Sequence, residues 1–297
     1  MATPNGDKER QVQANIAVIG GSGLYEFEAT PVTTEIDIPT PFGMPSDVIS
    51  VVDLDGVPVA FLPRHGKGHR LTPTEVPSKA NIWALKSLGV QQIISVSAVG
   101  SLVEEMQPGT FVVCTQLIDR TRSRSNSYFG NGIVGHAGFS DPFCAGVRDA
   151  AARAIEEHAL PACAKGTLVT MEGPLFSSKA ESHLYRSWGA DLIGMTALPE
   201  AKLAREAEIC YATIAMVTDY DCWRESEQSV DIDMVLRVMK ENIRGMRAII
   251  PDIVADIAKR KDCACRHAAE HAILTNEAMI PYEVKRKLSL FYSKYWK

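Results

Sequence analysis

The sequence predicts an α/β fold with a largely parallel but mixed central sheet, and three observations carry that expectation. Apolar, β-rich runs alternate with helical stretches, the pattern of strands joined by helical crossovers. Several runs are apolar throughout, as strands are when both sheet faces are covered. Asp55-Gly56 joins two of them and signals a tight hairpin, which adds an antiparallel pair. Ligands of such folds sit at the carboxyl ends of strands, so the residues after each run are the candidate site.

The first run, IAVIG at 16–20, leads into Gly20-Gly21-Ser22-Gly23. A glycine-rich turn there exposes backbone N–H groups to an anion, or it is a structural turn. It is not a dinucleotide fingerprint: Glu26 stands at the third glycine and no helical pattern follows. The runs VISVVDL (48–54) and VPVAFL (57–62) flank the hairpin, and the second ends in PRHGKGH at 63–69. Arg64 and His65 beside glycines form an anion cradle or a solvated basic loop. A helical stretch at 80–88 precedes QIISVS (92–97), where Ser97 and Ala98 put a hydroxyl and a small residue at a strand end. TFVVCTQLI (110–118) reads as one strand, and His136 falls in the glycine-rich loop after it. Helical stretches at 142–157, 177–188 and 199–206 alternate with GTLVTM (166–171), with Pro199 suited to a first helical turn. CYATIAMVT (210–218) ends in Asp219-Tyr220-Asp221, two carboxylates that act as an acid at a ligand or serve as a cap or ion pair. In the last long helical stretch, 231–257, Ile232, Val235 and Leu236 share the i, i+3, i+4 spacing of a buried face.

The 297 residues are 46% hydrophobic and 23% charged, an ordinary globular balance that supports a large core. No apolar run reaches about 18 residues, so no membrane helix is expected. Residues 1–14 are polar and read as a disordered tail, with no secretory leader. The net charge of −5 lacks the basic footprint of a nucleic-acid binder. The terminal KRKLSLFYSKYWK is basic and aromatic, a tail that docks on the body or a neighbouring subunit, or touches RNA or a membrane. Seven scattered cysteines argue against a disulfide framework and for a reducing cytoplasm, with the nucleus also open to the chain. Cys263, Cys265, His267 and His271 form a local cluster. Successive turns of one helix do not wrap a tetrahedral ion, so the segment reads as ordinary late helix or linker and no metal is expected.

Seven stretches carry a resemblance. GGSGLY (20–25), TPFGMPSD (40–47), PRHGKGH (63–69), ANIWALKSLGV (80–90), SAVGSL (97–102), MEGPLFSSKAE (171–181) and the run from Trp188 to Trp223 resemble the S-methyl-5′-thioadenosine phosphorylase family, one of the trimeric purine nucleoside phosphorylases. The resemblance covers 15–258 and fades over 259–297. It implies a single domain with a distorted mixed sheet over 15–258, followed by a C-terminal helical segment and tail at a subunit interface. It implies a homotrimer that cleaves S-methyl-5′-thioadenosine with inorganic phosphate as co-substrate, without metal, organic cofactor, nucleic acid or membrane. The alternative is a broader purine nucleoside phosphorylase acting on adenosine or inosine. Phosphate would be held by Ser22, Arg64, His65, Ser97, Ala98 and Thr196. Met195 would face the ribose, Phe176 the purine, and Asp219 and Asp221 the base edge, with Asp219 as the catalytic acid. Ile232, Val235 and Leu236 would form the 5′ pocket, and His136 and Met279 would reach a neighbouring subunit's site. Relatives often carry Thr where this chain has Ser22 and Ser97.

Overall fold

The computed structural model describes residues 13–21, 24, 32–224, 232–260 and 262–296, with backbone alone at 32, 33 and 232–235. In chain order the elements are β1 (Ile16–Gly20), β2 (Val32–Ile36), β3 (Ile49–Leu54), β4 (Val57–Pro63), α1 (Ser78–Ser87), β5 (Gln92–Ser101), β6 (Phe111–Val113) and β7 (Gln116–Arg120). Then follow α2 (Ala145–Glu157), β8 (Ala162–Cys163), β9 (Thr167–Met171), α3 (Lys179–Ser187), β10 (Leu192–Gly194), α4 (Glu200–Glu206), β11 (Cys210–Asp219), α5 (Ile232–Ile257) and α6 (Tyr282–Tyr292). They build one α/β unit around a mixed sheet in the order β2-β3-β4-β1-β5-β10-β9-β7, with β11 joining β5 to β6 and β8.

The sheet is distorted because β5 is shared three ways. Its first half lies parallel to β1, with Ile16 opposite Gln92, and its end lies antiparallel to β10, with Leu192 opposite Ser101. Along its other edge it runs parallel to β11 from Cys210 opposite Gln92 to Asp219 opposite Gly100. Both long strands are almost wholly buried, which fits their place at the centre of the core. Asp55 (φ 52°) and Gly56 (φ 86°) turn β3 into β4 with two positive φ angles, the geometry that Asp-Gly favours in a hairpin.

Two expectations are corrected. The run 110–118 is two strands: β6 pairs with β11 and β8, whereas β7 pairs with β9. Between them the chain steps across the sheet, Cys114 N–H bonding to Thr213 O and Thr115 N–H to Gly166 O. Apolar continuity carries no sign of which neighbour a strand will meet, so this break is invisible in the pattern. Cys263 and His267 share no helix face either: Ala264–His267 is one 3₁₀ turn that Cys263 caps in extended conformation.

The last described residues return to the body of the chain. Tyr292 is fully buried, its hydroxyl donating to Glu206 O at 3.0 Å and its ring stacked on Phe129 at 5.6 Å. Leu288 and Phe291 on the same helix are also buried in the main core. Truncating such a side chain costs the transfer energy plus a cavity. Tyr292→Ala should lower unfolding free energy by about 4 kcal/mol in urea titrations, whereas Tyr292→Phe, which loses one hydrogen bond, should cost about 1 kcal/mol.

Candidate active site

A cleft of about 530 Å³ opens at the carboxyl ends of the central strands. It gathers Arg64, His65, Ser97, Ala98, Phe176, Met195, Thr196, Asp219 and Asp221, which the sequence scatters over more than half of the chain. Polar groups collect at its two ends and apolar ones between them.

At one end Ser97 Oγ and Thr196 Oγ1 lie 3.0 Å apart, a pair of hydroxyls facing the same space. Below them Arg64 is 2% exposed and locked. It donates from Nε and Nη2 to the two oxygens of Glu200 at 2.9 Å, from Nη2 to Ser95 Oγ at 2.7 Å, and from Nη1 to Val96 O at 2.9 Å. Glu200 is 1% exposed and also accepts from Ser95 Oγ and from Tyr211 OH, each at 2.8 Å. The bidentate edge of Arg64, expected at an anion, is therefore taken by a carboxylate. His65 is buried, with Nδ1 2.9 Å from Leu71 O, so that nitrogen carries the proton. Burial and the neighbouring guanidinium push its pKa down to about 4, which keeps the imidazole neutral at pH 7. Arg70 adds a second guanidinium to the cleft wall, its Nη2 donating to Ser46 O at 2.5 Å.

At the other end a bulge sets the carboxylates. The register of β11 against β5 slips between Val217 and Asp219, so Thr218 is the extra residue. Thr218 Oγ1 donates to Asp219 Oδ2 at 2.7 Å, and the Asp221 N–H donates to Asp219 Oδ1 at 2.8 Å. Asp221 sits at φ 53°, a left-handed conformation that Asp tolerates, and its buried carboxyl accepts from Ser177 Oγ at 3.0 and 2.9 Å. A Cβ on Gly100 would come within 3.0 Å of Asp219 Oδ1, so the bare backbone there lets the carboxyl lie against β5. Gly100 lies three residue steps beyond Ser97, about 10 Å of strand between the two polar ends.

The middle is lined by Met171, Ile193, Met195 and Met216, with Met239 and Ile243 from α5. Phe176 stands at the mouth, 67% exposed. Arg124 holds this wall together: it is 3% exposed and donates to Met195 O, Leu198 O, Met171 O and Glu172 O at 2.5 to 3.2 Å. That ties the end of β9 to the segment after β10. In its polar run TRSRSNS it reads as a solvated loop residue, and no sequence signal marks it. Glu200 and Ser177 were equally hidden. Met239 and Ile243 continue the i+3, i+4 spacing of 232, 235 and 236, a signal that was present in the sequence.

Other expected residues stand apart. Leu236 is 50% exposed and does not line the cleft; the wall from α5 begins one turn later, at Met239. His136 is exposed, its N–H bonded to Ala272 O, and Met279 is 74% exposed, so neither lines this chain's cleft. Ser22 and the side chains of Ile232 and Val235 lie outside the described residues.

Comparison with known proteins places this arrangement. A family model described as the phosphorylase superfamily matches residues 15–255. An S-methyl-5′-thioadenosine phosphorylase of Geobacter sulfurreducens is 51% identical over 94% of this chain and 98% of that protein. One of Koribacter versatilis is 50% identical over 96% of this chain and 98% of that protein. A solved methylthioadenosine phosphorylase from an antarctic soil metagenomic library superposes with a TM-score of 0.90 at 46% identity, covering 94% of this chain and 99% of the other. One from Schistosoma mansoni in complex with adenine gives 0.81 at 33% identity, covering 95% and 98%.

Removing one partner of a buried, fully bonded ion pair strands the other. Glu200→Ala should therefore lower unfolding free energy by about 3 to 5 kcal/mol, read from urea titrations. His65 gives a pH dependence. Its unfolded pKa is 6.5 and its folded value about 4, so between them the unfolded chain binds the extra proton. The contribution of His65 is full above pH 6.5 and is lost as pH falls toward 4. His65→Gln should flatten that acid slope in unfolding curves taken from pH 7 to pH 4.

Proposed function

This chain belongs to the phosphorylase superfamily and within it to the S-methyl-5′-thioadenosine phosphorylases, and we propose that it uses phosphate to split S-methyl-5′-thioadenosine into adenine and 5-methylthioribose 1-phosphate. The carrying observation is the layout of the cleft: paired hydroxyls at one end, paired carboxylates about 10 Å away, and an apolar wall between them.

In this reading phosphate lies against Ser97, Thr196, His65 and the backbone of Ala98, and the family resemblance adds Ser22 as a further hydroxyl donor. Arg64 and Glu200 form a neutral pair, so recognition rests on hydroxyl and N–H donors held in place by that pair. The neutral His65 keeps Nδ1–H on Leu71 O, which leaves Nε2 as an acceptor for a protonated phosphate oxygen. As the C1′–N9 bond breaks, its electron pair passes to the purine and positive charge grows on the ribosyl carbon. A phosphate oxygen beneath then forms the new bond to C1′. Holding the two reactants in line supplies much of the rate. Asp219, protonated in the complex, donates to N7 and neutralises the leaving base, while its other oxygen accepts from the 6-amino group. Asp221, fixed by Ser177, supports it. Phe176 stacks on the purine and Met195 packs against the ribose. The methylthio group meets Met239 and Ile243, and the family resemblance adds Ile232 and Val235 to this pocket. An apolar 5′ pocket leaves a 5′-hydroxyl without partners and so favours the thioether.

We assign a homotrimer in which His136 and Met279 complete a neighbouring subunit's site. Both are exposed, and their segments are joined: Leu274 N–H bonds to Val134 O, and Gly135 bridges Ile273. Val134, Leu274, Met279 and Tyr282 are all more than half exposed on these joined segments, an apolar face suited to burial against another copy. Reduced cysteines suit the cytoplasm, and no helix among the described residues is long and apolar enough to cross a membrane.

Turnover of S-methyl-5′-thioadenosine, adenosine and inosine should be compared with and without phosphate. Adenine release from the thio-nucleoside should need phosphate, and inosine should be the poorest substrate. Undiminished cleavage in phosphate-free buffer would indicate a hydrolase, and inosine as best substrate would overturn the role of Asp219. Asp219→Asn should lower kcat/KM for the thio-nucleoside about 10²- to 10⁴-fold, the usual worth of a general acid, and shift preference toward 6-oxo purines.

A further inference from the structure

Away from the cleft, four of the seven cysteines converge. Cys144 precedes α2, Cys210 opens β11, and Cys263 and Cys265 flank the start of a 3₁₀ turn in the C-terminal segment. Their sulfurs all lie within 4.8 Å of one another, and Cys144 Sγ to Cys263 Sγ is 3.7 Å. Cys144, Cys210 and Cys265 are buried, and Cys263 is half-buried.

We propose that these four sulfurs form a structural site for a thiophilic divalent cation, with zinc as its natural occupant. Zinc–thiolate bonds of about 2.3 Å place the corners of a tetrahedron about 3.8 Å apart. The Cys144–Cys263 separation already matches one edge, and the remaining pairs need to close by 1 Å or less to match the others. The ligands come from three separate chain segments and so surround a point, which consecutive turns of one helix do not. That difference removes the ground on which the local cluster was read as metal-free. His267 and His271 have no part in the group: His267 lies at the surface, 3.6 Å from Asp262 and 3.8 Å from Glu270.

Coordination would displace four thiol protons to solvent and leave a centre of net charge −2. The surroundings suit that charge. Arg260 lies over Gly146, two residues beyond Cys144, so closely that a Cβ on that glycine would come within 1.7 Å of the guanidinium carbon. Its buried Nε finds no hydrogen-bond acceptor among the described residues. Lys86 Nζ lies 3.4 Å from Glu208 O, beside Cys210. Glu208 also binds Ala269 N–H, Tyr295 OH and Lys294, so the metal would add a fourth tie between the C-terminal segment and the start of β11.

The test uses the full chain, purified under reducing conditions, loaded with zinc chloride and desalted. Elemental analysis should find one zinc per chain. A strong chelator should then remove the metal and lower Tm by about 5 °C or more, a few kcal/mol for a chain this long. Cys263→Ser/Cys265→Ser should bind no zinc, match the chelated wild type in Tm, and retain phosphorolysis at low temperature. Should that variant fail to fold, the wild type decides alone. Cobalt(II) should give the intense visible bands of a tetrahedral thiolate site, and zinc should protect these four cysteines from alkylation while the others react as before. Less than one-tenth equivalent of zinc after loading, no protection from alkylation, or a mass showing the four cysteines paired as disulfides would overturn the site.

Discussion

A guanidinium and a carboxylate meet in the dry floor of the cleft, and the placement of the site depends on them. Burying two opposite charges is costly unless geometry and hydrogen bonds satisfy both. Here they do: Glu200 receives Arg64 on two oxygens together with Ser95 and Tyr211, and Arg64 also bonds to Val96 O. The pair joins the end of β4, the middle of β5, the first turn of α4 and the start of β11. Those elements carry His65, Ser97 and Thr196 into one place. In the proposed function, specificity for phosphate comes from oriented neutral donors, because the charge of Arg64 is already balanced by Glu200.

The irregularities of the sheet do the rest. A parallel sheet with an even edge would aim Asp219 by simple alternation. The bulge at Thr218 changes that parity, and the left-handed backbone of Asp221 brings the next carboxyl back beside it. Gly100 leaves the room that both need. Arg124 performs a similar task on the opposite wall, where four carbonyl groups that a sheet end leaves without strand partners converge on one guanidinium. The edges of the cleft are thus tied by buried polar groups bonded within the chain: Arg64 to Glu200, Ser177 to Asp221, and Arg124 to four backbone carbonyls.

Much of this was legible because the polar ends are consecutive in sequence. Residues 63–69, 97–101 and 219–221 each follow an apolar run, and the rule that ligands sit at strand ends brings them together. Glu200 was not legible: a glutamate after Pro199 looks like a solvated first-turn acid, and only the packing of α4 against β11, with Arg64 brought in after β4, buries it. The break between β6 and β7 was hidden for a related reason, since a continuous apolar run does not state its partners. The cysteines show the limit most clearly. Cys263 and Cys265 were visible as a pair, but Cys144 and Cys210 join them only through the packing of α2, β11 and the C-terminal turn. Local spacing reports ligands that share an element and is blind to those assembled by tertiary structure.

The most direct test is a crystal structure with phosphate and a non-cleavable analogue of S-methyl-5′-thioadenosine bound together. The account places phosphate oxygens within about 3 Å of Ser97 Oγ and Thr196 Oγ1, with N7 of the base at the same distance from an Asp219 oxygen and the Arg64–Glu200 pair unbroken. An anion lodged elsewhere, or a purine whose N7 edge faces away from Asp219, would contradict it.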